Sequence, residues 1–176
     1  MAIGGEAGAG KTSLIRRFCD RAEGSPRVMV GACDALFTAR PLGPFIDLGE
    51  LASSIGDAIG RGARTDEIVS TFLGEIRSGG PAVVVFEDLH WADEATLDVL
   101  RLLVRRLGHR AVLVLATYRD DELDRAHPLR VLLGELPAGG SRVRVPPLSQ
   151  QAVQTLQAAG FQVTQQYTST GPAKST

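Results

Sequence analysis

The segment Gly5-Glu6-Ala7-Gly8-Ala9-Gly10-Lys11-Thr12 fits the pattern GxxxxGK[ST] and runs directly into Leu14, Ile15 and Phe18, spaced for one helical face. Glycines let consecutive N–H groups turn inward toward phosphate oxygens. The helix that follows brings the positive end of its dipole to the same point. The pattern therefore predicts a loop opening a helix, with Gly5, Glu6, Ala7, Gly8, Ala9, Gly10, Lys11, Thr12 and Ser13 forming a phosphate cradle. Lys11 would span the β- and γ-phosphates as a charge, and the Thr12 hydroxyl would ligate magnesium. Of 19 basic residues only Lys11 and Lys174 are lysine, so a lysine stands here in a chain that otherwise uses arginine.

The remainder alternates apolar runs with segments of helical period, as in an α/β chain with a mostly parallel sheet covered by helices. Strands are predicted at Val28 to Ala32, Ala82 to Phe86, Ala111 to Thr117 and Arg142 to Val145. The first three read as continuous apolar stretches, which predicts burial on both faces. Leu48, Leu51, Ala52, Ile55 and Ile59 recur at helical spacing, as do Ile68, Val69, Phe72, Leu73 and Ile76. Asp93 is the expected N-cap of a helix burying Leu97, Leu100, Val104 and Leu107. Pro128 suits the first turn of another, and Ser149 caps a short last one. From Gln162 the sequence loses apolar periodicity, which predicts a disordered tail.

Val83-Val84-Val85-Phe86-Glu87-Asp88 is an apolar strand ending in two acids, as in a Walker B segment. Ligands of parallel sheets bind at the carboxyl edge of the strands, so Glu87 and Asp88 should face the phosphate loop. One acid would hold magnesium with Thr12 and the other would orient the attacking water, but the sequence does not divide these roles between them. Thr117 and Arg119 end the next predicted strand. Thr117 is a candidate to bond the attacking water or the γ-phosphate, and Arg119 to sense γ-phosphate charge or else to pair with Asp120 or Asp121 on the surface. His90 and Trp91 read more simply as an exposed histidine beside a tryptophan that packs the loop onto the core. Arg101, Arg105, Arg106 and Arg110 share a helix with Glu94 and Asp98, which favours a solvated polar face over a phosphate-backbone surface.

A formal net charge of -1 gives no global attraction to DNA or to an anionic membrane. No apolar run approaches the ~20 residues needed to cross a bilayer. Cys19 and Cys33 follow no metal-ligand spacing and read as free thiols of a cytoplasmic protein. With no asparagine, the chain lacks the NKxD segment by which Ras-like GTPases read guanine. It also lacks the LSGGQ signature of ABC transporters, and Thr117 stands where RecA-like enzymes usually carry glutamine.

The segments GGEAGAGKTSLIRRF, GACDALFTARPLGPFIDLG, VVVFEDLHWADEATLDVLRLL, LATYRDDEL, HPLRVLLGEL and RVRVPPLS, in this order, resemble the ATPase segment of STAND-type AAA-related ATPases, especially large LuxR-family transcriptional regulators. The likeness runs from about Met1 to Gly160. It implies a three-layer αβα P-loop fold with strand order 5-1-4-3-2, a nucleotide partner, ATP and Mg2+ as ligands, and an ATP switch with slow hydrolysis. Against such relatives the first strand is short, and the helical lid and helix-turn-helix are lacking. The expectation is an incomplete core over 1–160 and a tail over 161–176, with no direct DNA binding by this segment. The alternative is a non-catalytic fragment that binds nucleotide weakly, self-associates or associates with a full-length relative.

Overall fold

The computed structural model describes residues 1–22, 26–35, 40–48, 53–108, 110–136 and 140–160. It divides into two units, Met1–Pro146 and Pro147–Thr176. The first unit holds β1 (Ala2–Gly4), α1 (Lys11–Arg21), β2 (Arg27–Ala32), α2 (Gly43–Ile46), α3 (Ser53–Gly60), α4 (Thr65–Ser78), β3 (Ala82–Glu87), α5 (Glu94–Arg106), β4 (Val112–Tyr118), α6 (Leu129–Gly134) and β5 (Arg142–Arg144). In the second, α7 (Gln150–Ala158) starts at Ser149, whose side chain accepts from the Ala152 N–H as expected. The expected tail from Gln162 lies outside the described residues.

The five strands form one parallel sheet in the order β2-β3-β4-β1-β5, which is the order 5-1-4-3-2 read from the other edge. β1 has three residues, all buried, and pairs with β4 on one side and β5 on the other. A seven-residue β4 therefore meets β1 only along Ala116, Thr117 and Tyr118.

Strand alternation sorts the core into two faces. Ala82, Val84 and Phe86 of β3 join Phe45, Ile55, Phe72, Leu103 and Leu129 from the helices α2 to α6. The ring of Phe45 lies 5.0 Å from that of Phe86 and 6.2 Å edge-on from that of Phe72. On the opposite face Val83 and Val85 meet Ile3, Leu115 and Ile15 of α1. Burying each such side chain stabilises by about 1.5 to 3 kcal/mol, so the first, larger cluster dominates.

The smaller second face corrects two expectations. β3 is buried on both sides, but β2 is an edge strand whose Val28 and Val30 remain exposed. In α1 only Lys11 and Ile15 are buried, while Leu14 and Phe18 are 48% and 44% exposed, so the inward face runs through Ile15 and Cys19. Elsewhere the periodicity holds. Ile68, Val69, Phe72, Leu73 and Ile76 are all buried in α4. Leu97 and Leu100 are buried in α5, joined by Val99 and Leu103, whereas Val104 and Leu107 are half-buried. Leu51 and Ala52 lie outside the described residues.

Candidate functional site

Parallel pairing brings the carboxyl ends of β1, β3 and β4 to one edge of the sheet, with Ile3 beside Thr117 and Ala116 beside Phe86. From β1 the chain passes into the loop 5–10. Gly8 and Gly10 take φ of 75° and 93°, and a Cβ at either would meet no atom within 4 Å. Positive φ lets a loop turn its N–H groups toward one side, the conformation an anion-binding loop uses. Gly10 is the N-cap of α1, and no side chain caps the helix. The first N–H groups of a helix have no intrahelical acceptor, so those of α1 are left for a ligand.

Lys11 is 8% exposed and its Nζ donates to the carbonyls of Gly5 at 2.7 Å and Glu6 at 2.8 Å. These bonds fold the ammonium back over the loop 5–10. Burial pulls its pKa below the ordinary lysine value, and the Asp88 carboxylate is the chief charge opposing that fall. A ligand of concentrated negative charge would relieve the same desolvation cost.

Glu87 closes β3, in register with Ala32, and by alternation shares the α1 side of the sheet with Val83 and Val85. Its carbonyl accepts from the Cys33 N–H at 3.0 Å. Burial pushes the Cys33 thiol up to about 12, with Asp93 and Asp88 adding to the rise, which makes it an inert neutral group rather than a nucleophile. Asp88 follows with φ 56° and ψ 44°, a left-handed conformation at the start of a 3-10 turn over Leu89–Trp91. Its N–H donates at 2.9 Å to Thr117 Oγ1, and Thr117 is 2% exposed. Because that oxygen accepts here, the hydroxyl proton stays available to a second partner.

Arg119 does not take the surface pairing with Asp120 or Asp121 that the sequence offered as an alternative. It pairs with Glu122, and its guanidinium carbon sits 4.9 Å from the centre of the Trp91 ring. Asp120 instead bonds Arg144 at 3.2 Å. Desolvation is the largest single effect on the Glu122 carboxyl and acts to raise it, but the hydrogen bond and charge of Arg119, with His90 and a hydrogen bond from Trp91, together bring the net pKa below the ordinary value. His90, expected at the surface, is buried: its ring is wholly covered, packs 4.4 Å from the Trp91 ring, and has no hydrogen-bond partner on either nitrogen. Burial lowers its pKa, so it is neutral near pH 7. Glu122 is the member of this group that the sequence reading missed, though it sits within TYRDDEL.

The basic tract of α5 divides. Arg101 and Arg105 bind Glu135 beyond α6, while Arg106 lines a surface groove with Arg77 and Arg110. Asp93 caps α5, accepting from the Thr96 N–H at 3.0 Å, and also accepts from the Leu42 N–H at 3.3 Å. Among the described residues no three His, Cys, Asp or Glu side chains converge as a metal cluster, and no helix is long and apolar enough to cross a membrane. Magnesium needs no such cluster, since it binds through a few hard oxygens, phosphate and water. The Thr12 hydroxyl and the Glu87 and Asp88 carboxylates are a donor set of that kind.

The model of the AAA ATPase domain matches residues 1–115. An uncharacterized protein of Rhizobium meliloti is 36% identical over 70 residues, covering 38% of this chain and 7% of that protein. Among solved structures, Orc1 of Aeropyrum pernix in complex with DNA superposes with a TM-score of 0.59 at 15% identity, over 91% of this chain and 43% of that one. The Walker-type ATPase PABY2304 of Pyrococcus abyssi gives 0.54 at 15%, over 93% and 55%. AMPPCP-bound DnaA of Aquifex aeolicus gives 0.51 at 16%, over 94% and 46%. The chain thus spans about half the length of these structures or less, and at such identity they speak for the fold alone. The family match covers most of the chain and includes the phosphate loop and the acidic strand end, so this chain belongs to the AAA ATPase domain family.

Proposed function

We propose that the chain binds ATP through the loop 5–13 and hydrolyses it slowly, as the switch module of a STAND-type regulator of the large LuxR kind. The observation that carries the reading is Lys11, a buried lysine held by loop carbonyls at the open, uncapped start of α1. Gly5, Glu6, Ala7, Gly8, Ala9 and Gly10 shape the cradle, and the N–H groups of Lys11, Thr12 and Ser13 close it from the helix. Thr12, with Glu87 or Asp88, ligates Mg2+, which when bound neutralises charge building on the β- and γ-phosphates. One of Glu87 and Asp88 holds magnesium while the other orients the attacking water, Thr117 donates its free proton at the γ-phosphate, and Arg119 senses the phosphate charge. Free Cys19 and Cys33 and the need for ATP suit the cytoplasm. We assign nucleotide as the partner, with self-association or pairing with a longer relative left to the exposed α1 side, and no direct contact with DNA.

Losing a charge-assisted hydrogen bond to phosphate costs about 1.5 to 3 kcal/mol, or roughly ten- to a hundredfold in affinity. Lys11→Ala should therefore bind a fluorescent ATP analogue in magnesium buffer that much more weakly. Unchanged affinity would refute the assignment of the loop.

A further inference from the structure

The guanidinium of Arg119 is already occupied. Glu122 pairs with it from three residues on, Trp91 lies beneath it, and its side chain is 28% exposed. The Oε2 atom of Glu122 is 3.4 Å from His90 Nε2. The His90 ring is fully covered and both its nitrogens lack partners, a state that costs free energy until a partner arrives. One carboxylate thus stands between a cation that it holds and a buried ring nitrogen that it does not yet satisfy.

We propose that Glu122 and Trp91 form a latch that holds Arg119 away from the nucleotide, and that the γ-phosphate of ATP draws Arg119 off and turns Glu122 onto His90 Nε2. The latch rests on the nucleotide site proposed above and adds a source of discrimination between ATP and ADP. An Arg–Glu pair this exposed is weak, and a cation resting on a partly exposed ring adds little more. A γ-phosphate offers a denser charge and a fork-shaped partner for the guanidinium. When Arg119 leaves, the carboxylate exchanges one partner for another, and the orphaned imidazole is satisfied in the same movement. ADP has nothing to pull with, so the latch stays closed. Glu122 is a positioning residue here. It acts through Arg119 by setting the fraction of molecules in which the guanidinium is free, and apparent affinity for ATP scales with that fraction.

Trp91 is the only tryptophan in the chain, so its emission reports where Arg119 lies. The test is a titration of the full chain in magnesium buffer with a non-hydrolysable ATP analogue and, separately, with ADP, following both Trp91 emission and affinity. The analogue should change the emission and ADP should not, and Arg119→Ala should abolish the difference. Glu122→Gln, at an exposed position that tolerates the change, should tighten the analogue about two- to fivefold and leave ADP affinity unaltered. Its nucleotide-free emission should already match that of the analogue-bound parent. Equal emission changes with both nucleotides, or equal shifts in both affinities from Glu122→Gln, would overturn the latch while leaving nucleotide binding intact. If the parent binds neither nucleotide, or Lys11→Ala binds as well as the parent, the site reading falls and the latch with it.

Discussion

Asp88 adopts a left-handed backbone conformation that costs most L-residues about 1 to 2 kcal/mol, and one N–H bond to buried Thr117 fastens it there. Asparagine tolerates that conformation at least as well as aspartate, so Asp88→Asn isolates the charge from the backbone. Phosphate release should fall much further than ATP affinity, because the lost interaction belongs mainly to the transition state, and the melting temperature should stay near that of the parent. Thr117→Val makes the opposite separation. It strands the Asp88 N–H without an acceptor, at about 1 to 3 kcal/mol, so melting should drop even without nucleotide. Calorimetry with phosphate-release assays on the two variants checks both. The placement of Lys11 at the start of α1 and of Glu87 at the end of β3 was legible because glycine spacing and an apolar run mark each within a few residues, whereas the bond that fastens Asp88 to Thr117 spans 29 residues and was not. The burial of His90 was not, since its cover includes Glu122 and a contact from His127 Nε2 to its carbonyl, both more than thirty residues away.

At the scale of elements, α5 begins where Asp93 answers three donors at once, the N–H and the hydroxyl of Thr96 in its own helix and the Leu42 N–H ahead of α2. Removing a cap alone costs about 0.5 to 2 kcal/mol, and the further bonds place Asp93→Ala near the upper end. Urea unfolding should show the midpoint falling by that amount, and Asp93→Asn should recover much of it. The cap was readable from one residue before an apolar period, but its second partner was not. The same limit explains β2. Its run Val28-Met29-Val30 looks like that of a strand buried on both faces, yet Val28 and Val30 are exposed while Met29 is buried. Apolar content records what a strand is able to bury. How many helices lie on each face is decided by chain path, and here α1 lies on one face while α2 to α6 supply the larger cluster on the other.

Across the whole molecule, ligand and fold are joined through β1, because the phosphate loop leaves a strand of three residues at an inner position of the sheet. A ligand that binds only the folded form adds about 2.7 kcal/mol at a hundred times its dissociation constant. Magnesium-ATP should therefore raise the melting temperature clearly, and Lys11→Ala should cut the rise by about half or more; differential scanning fluorimetry with and without nucleotide checks this. The placement of β1 also orders events in time. Ala2, Ile3 and Gly4 leave the ribosome before any other part of the sheet, but their partners are residues 116–118 and 142–144. β2, β3 and β4 pair with one another across shorter loops, whereas β1 gains its first neighbour only when residues 116–118 are made and its second only when 142–144 follow, closing the longest loops in the sheet. The first strand of this sheet to be translated is thus among the last to be paired on both edges, and the phosphate loop that leaves it is fully anchored only once β5 has been made.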